Sequence, residues 1–149
     1  MDDMVQLESV YPDDDSALRN ARRIGLVFVA YAIGLPIMSL VLDAQSPPST
    51  GSLIISWVLI FMMPFDILLS YASYRFFNKK GRFQNIMGPA VLMYTFGTAP
   101  SIYAFVIGFI YSDLRYIAIP LGLMFSIVGL WLVSNFLSRL GDALKGANL

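Results

Sequence analysis

The sequence predicts an all-α, polytopic membrane protein: four transmembrane helices in an up-down-up-down bundle, with both termini in the cytoplasm. Three observations lead there. Hydrophobic residues fill 57% of the 149 positions and charged residues only 13%, more apolar surface than a soluble domain of this length can hide. Four stretches nearly free of charge, 24–42, 53–74, 86–111 and 116–137, each reach the roughly 20 residues needed to cross the hydrocarbon of a bilayer. Basic residues, which collect in cytoplasmic loops, lie almost entirely at alternate ends of those stretches.

Residues 1–23 form an acidic N-terminal tail that ends in a basic cluster. Asp2, Asp3, Glu8, Asp13, Asp14 and Asp15 precede any Lys or Arg, the reverse of a signal-peptide n-region, so the first apolar segment is expected to remain as a helix. So acidic a tail has little to bury and is expected to be solvated. Arg19, Arg22 and Arg23 then lead into the first span, 24–42. The run Ser46-Pro47-Pro48-Ser49-Thr50-Gly51 holds the residue types that stop helices and form loops, and separates it from the second span, 53–74.

The second connection, 75–85, contains Arg75, Lys79, Lys80 and Arg82. It leads to the third span, 86–111, and a tight turn at Ser112-Asp113-Leu114-Arg115 leads to the fourth, 116–137. Residues 138–149 make a short cytoplasmic tail in which Leu137, Leu140 and Leu144 keep helical spacing, so the fourth helix is expected to continue into the interface. With the N-terminus inside, nine of the ten basic residues are cytoplasmic and only Arg115 is outside; the inverted topology reverses those numbers. Trp57 and Tyr116 at one level, and Tyr74, Phe76, Phe77 and Phe83 at the other, match interfacial aromatic belts. Residues 24–137 thus form one four-helix transmembrane domain, expected in a prokaryotic plasma or inner membrane.

Composition narrows the chemistry. Ten basic and ten acidic residues leave no net charge and no global basic field for nucleic acid. The chain has no Cys and no His, which removes disulfides, thiolate or imidazole metal sites and the corresponding nucleophiles. No metal, no cofactor and no enzymatic role are expected, since neither a nucleophile with its base nor a phosphate-binding glycine loop is present.

Asp66 is the one formal charge deep inside a span. An acid there is costly unless it faces the bundle interior or water, is paired, or carries a proton. Ser70 and Ser73 follow it at spacings that put all three on one face, a polar stripe directed toward the cytoplasm. That is the pattern of an inward cavity or proton relay; a neutral Asp66 bonded to a neighbouring helix, holding the bundle in register, is the structural alternative. In the third span Tyr94, Thr95, Thr98 and Ser101 make a broad polar face around Pro100, as in helices that line transport sites or in helices whose hydroxyls satisfy a carbonyl freed by proline. Pro36, Pro64 and Pro100 are expected to bend their helices.

Small residues recur at four-residue spacing: Ala30 with Gly34, Gly97 with Ser101, Ala104 with Gly108, and Gly122 with Ser126. They permit close helix approach and predict a compact bundle or a self-associating one.

The stretch Thr98-Ala99-Pro100-Ser101-Ile102-Tyr103-Ala104-Phe105-Val106-Ile107 resembles the carboxylate-bearing helix of the rotary ATPase proteolipid (c or K subunit) family, whose pattern is Glu-Ala-x-Gly-Ile-Tyr-Gly-Leu-Val/Ile. Thr98 occupies the place of the ion-binding Glu, and the dense glycine repeat of that family is lacking. The resemblance therefore implies either that ion transport is lost or that Asp66, in the other hairpin, carries the ion. The function expected is an accessory or scaffold subunit that assembles with itself or with other membrane subunits in the bilayer; the alternative is a small ion, proton or solute conductor that uses Asp66.

Overall fold

The computed structural model describes residues 14–42, 49–80 and 87–147. Four helices account for nearly all of them: α1 (Asp14–Val41), α2 (Thr50–Lys80), α3 (Met87–Ile110) and α4 (Arg115–Ala147). A single turn of 3-10 helix at Ser112–Leu114 links α3 to α4. All four are long and apolar enough to cross a membrane. Asp2, Asp3, Glu8 and Asp13 of the acidic tail, the Pro47-Pro48 pair, and Arg82 with Phe83 of the second connection lie outside the described residues.

Three helices run past the apolar stretches that mark them. α1 begins at Asp14 and α2 continues to Lys80, because the backbone ladder continues wherever a packed face supports it, whether or not the side chains suit hydrocarbon. Leu18 and Ala21 are buried beside Leu137 and Leu140 of α4, which makes the first turns of α1 part of the core. Tyr74, late in α2, meets Phe136 edge-on at 6.3 Å. The start of α2 is fixed by a reciprocal cap: the Ser52 amide donates to Ser49 Oγ at 3.1 Å and the Ser49 amide donates to Ser52 Oγ at 3.0 Å, so two otherwise orphaned donors are satisfied.

α3 is the centre of the molecule. It packs against each of the other three helices, whereas α1 and α2 have little or no direct packing with each other. Half of its most apolar window is buried, against 17% for α2 and 22% for α1. Those two helices instead present large apolar side chains outward, among them Leu26, Phe61 and Leu68, a surface suited to lipid.

The α3–α4 seam consists of small residues. A Cβ on Gly97 would stand 3.1 Å from the Gly129 carbonyl carbon, and one on Gly122 would stand 2.6 Å from Ala104 Cβ and 2.7 Å from the Pro100 oxygen. Between these contacts Ser101 Oγ and Ser126 Oγ share a 2.7 Å hydrogen bond, and the Ser101 amide donates to Ser126 Oγ at 3.1 Å. Numbers rise on α3 as they fall on α4, so these two helices pass in opposite directions. On its other side α3 meets α1, where Phe28 stacks on Tyr94 at 5.3 Å and Ser39 fills the space over Gly108.

Two apolar clusters sit at opposite ends of that seam. One gathers Leu18, Met93, Tyr94, Val133, Phe136 and Leu140; the other gathers Met63, Ala104, Ile107 and Ala118. The prolines Pro36, Pro64, Pro100 and Pro120 all lie within continuous helices.

Candidate functional site

Asp66 projects from α2 into the bundle and retains only 4% of its exposure. One turn before it, Met63 is fully buried in the cluster with Ala104, Ile107 and Ala118; one turn after it, Ser70 is fully buried as well. Spacings of three and seven residues put the carboxyl and the serine on the same interior face as Met63. Pro64 and Phe65, the residues between, face outward.

The carboxyl is held from α3 by the Tyr103 hydroxyl, which donates a hydrogen bond to it. Its other oxygen, Oδ2, is buried with no hydrogen-bond partner among the described residues, and so is Ser70 Oγ. An ionised carboxylate only accepts hydrogen bonds, whereas a protonated one also donates. Ser70 follows Asp66 by one turn on the same face of α2, and no hydrogen bond joins the two side chains. Ser73, further along the stripe, is half-buried, and Arg75 beyond it is exposed and stands 6.0 Å over the Tyr71 ring.

The hydroxyls of the third span do not converge on Asp66. Thr95 is exposed and its Oγ1 donates to the Val91 oxygen at 2.9 Å; Thr98 is buried and donates to the Tyr94 oxygen at 2.9 Å. Ser101 is engaged with Ser126. A three-residue repeat turns by about 300° per step, so it carries successive hydroxyls around the helix, not along one line. Tyr94 lies nine positions before Tyr103, about 13.5 Å along α3 and on its opposite side, against Phe28 and Gly25 of α1.

The packing residues divide in the same way. Gly97, Ala104, Gly108, Gly122 and Ser126 are used within the chain. Ala30 is exposed, and a Cβ placed on Gly34 would have nothing within 4 Å of it. Three contributors are not singled out by sequence reasoning. Tyr103 is one aromatic among many. Gly129 falls three residues after Ser126, off the four-residue spacing. Gly25 sits beneath Tyr94, and Ala21 four residues before it makes a small-residue pair of the same kind. Among the described residues no three His, Cys, Asp or Glu side chains come together.

Comparison with protein families, with characterised proteins and with solved structures finds no match to this chain.

Proposed function

We propose that the chain is an integral membrane protein of a prokaryotic plasma or inner membrane that takes up a proton or small cation at Asp66 and acts as a small conductor. In this reading the helices cross up-down-up-down with both termini in the cytoplasm. The observation that supports it is a buried carboxyl with one donor, Tyr103, whose second oxygen has no hydrogen-bond partner among the described residues, and a buried Ser70 hydroxyl one turn along α2 that has none there either. A bare carboxylate in so dry a place is costly, and a bound proton or cation removes that cost. The polar stripe from Ser70 to Ser73 leads toward the arginine-bearing, cytoplasmic end, while the cluster around Met63 and Ile107 closes the other direction. The site is therefore loaded from the cytoplasm. Tyr103 belongs to the segment that resembles the proteolipid helix, a resemblance that implies either lost ion transport or Asp66 as the carrier.

The test is proton and cation flux into sealed liposomes, comparing the wild-type protein with Asp66→Asn after both are shown to be folded. Flux that is lost in the variant is expected; no flux in either protein sinks the conductor reading.

The second reading is an accessory or scaffold subunit, and it draws on α1. Gly34 and Ala30 leave an open groove there, bordered by Leu26, Tyr31 and Met38, of the kind that admits another helix closely. Gly34→Leu should then shift the oligomeric state or the recovery of a partner and leave flux unaffected.

A further inference from the structure

We infer that a cavity at the arginine-bearing end of the bundle, between α1, α3 and α4, binds a phosphate group, supplied by an anionic lipid headgroup or by free phosphate. This goes beyond the proposed role of Asp66 and does not depend on it. The cavity measures about 270 Å³ and is lined by Arg22, Tyr94, Ser134, Leu137 and Ser138. Three helices thus contribute to one recess, and no lining residue is acidic.

The donors are placed by packing. Tyr94 is pinned by the Phe28 ring, stacked 5.3 Å away, and its hydroxyl lies against Gly25, where any Cβ would collide with it. Gly25 is three residues from Arg22, and the Arg22 guanidinium is within electrostatic range of the Tyr94 hydroxyl. On the far side the guanidinium runs along α4 at Gly141, where a Cβ would stand 3.7 Å from Arg22 Nη2. Glycines on both walls therefore keep room for the phenol and the guanidinium. Ser134 and Ser138, one turn apart, add two hydroxyls from one face of α4.

A guanidinium fork, a phenol and two serine hydroxyls are rich in donors, which suits a ligand whose oxygens only accept. Arginine matches phosphate oxygens in pairs. Arg19, Arg23 and Arg139 are exposed at the same end, together with Asp142, while Leu137 offers an apolar wall for the glycerol or chain of a lipid. Basic pockets between helices at the membrane surface take lipid headgroups on this chemistry.

The test has two arms. In the first, the protein is placed in nanodiscs of mixed phosphatidylglycerol and phosphatidylcholine, and retained lipid is measured by native mass spectrometry. In the second, inorganic phosphate is titrated into detergent-solubilised protein. Preferential retention of phosphatidylglycerol identifies the headgroup as the source; saturable binding of inorganic phosphate without lipid preference identifies free phosphate. In whichever arm is positive, Arg22→Gln should weaken binding by about tenfold, the scale of one charge-assisted hydrogen bond. Ser134→Leu, which fills the recess and keeps every charge, should weaken it too, and Arg23→Gln, outside the lining, should not. No preference in either arm overturns the inference. Equal losses in Arg22→Gln and Arg23→Gln also overturn it, because they mark a diffuse basic surface. If Arg22→Gln does not fold, undiminished binding by Ser134→Leu overturns it alone.

Discussion

The Tyr103 hydroxyl on α3 donates to the Asp66 carboxyl on α2, while Asp66 Oδ2 finds no partner among the described residues. The bond joins α2 to α3 in the interior of the bundle. It also leaves its acceptor half-satisfied, so the pair is a poor way to stabilise a bundle.

That arrangement can be separated into function and stability. Tyr103→Phe strips the carboxyl of its donor and should lower the thermal midpoint in detergent. The coupling between the two positions should be about 0.6–1.7 kcal/mol, the range found for hydrogen bonds between membrane helices. Asp66→Leu combined with Tyr103→Phe removes both polar partners and should be at least as stable as the wild type. A double variant far less stable than either single one would make the pair structural.

The glycines of the bundle should respond unequally to one methyl group. Gly129→Ala drives its Cβ into the Gly97 backbone, which has no flexible end to move aside, and should cost about 1–3 kcal/mol as overpacking does. Gly34→Ala meets open space and should be neutral or mildly stabilising, because alanine is the better helix former. Chemical unfolding of the two variants side by side checks the order.

Ser126 accepts from the Ser101 amide and shares a bond with its hydroxyl. Ser126→Ala should therefore cost about 1–3 kcal/mol, the penalty of leaving buried polar groups unmet. Ser126→Thr keeps an oxygen and should lose less. Thermal shift in detergent reads both.

Removal of the Ser49 side chain should fray the entry to α2. Ser49→Ala takes away one half of the reciprocal cap, worth about 0.5–2 kcal/mol, and the effect should be local. Hydrogen exchange should quicken at the amides of Gly51 to Leu53 and stay unchanged around Asp66.

The orientation can be measured without a background, since the chain contains no cysteine. Asn20, Thr50, Asp113 and Asp142 are exposed. In intact cells, single cysteines at Thr50 and Asp113 should react with an impermeant maleimide, whereas those at Asn20 and Asp142 should react only after permeabilisation. The opposite labelling pattern would invert the proposed topology and place the Arg22 recess at the outer leaflet.

Much of the helical frame is legible in the sequence, because a span is a property of consecutive side chains. Helix ends are less so: the apolar stretch beginning at 24 says nothing of Leu18, whose burial depends on Leu140 from the far end of the chain. Asp66 announces itself by its cost in an apolar run, yet its partner does not. Eight tyrosines are available, and only the crossing of α2 and α3 selects Tyr103. Thr95 and Thr98 look alike in the sequence and differ in the fold because three residues fall short of a full turn. The small residues mark where helices can approach closely, but their spacing alone does not say whether the neighbour is another helix of the same chain or another molecule.

α3 is the least apolar of the four spans and the most enclosed, and that has a consequence for biogenesis. The first two helices leave the ribosome before the helix they pack against exists, and their strongly apolar surfaces let each enter the bilayer alone. Ser101, Gly97 and Ala104 of α3 gain their partners only when α4 follows, whereas its threonines bond to carbonyls of their own helix and Gly108 meets Ser39 of α1. In the proposed topology the bundle is therefore expected to close late in synthesis, when α4 packs onto α3.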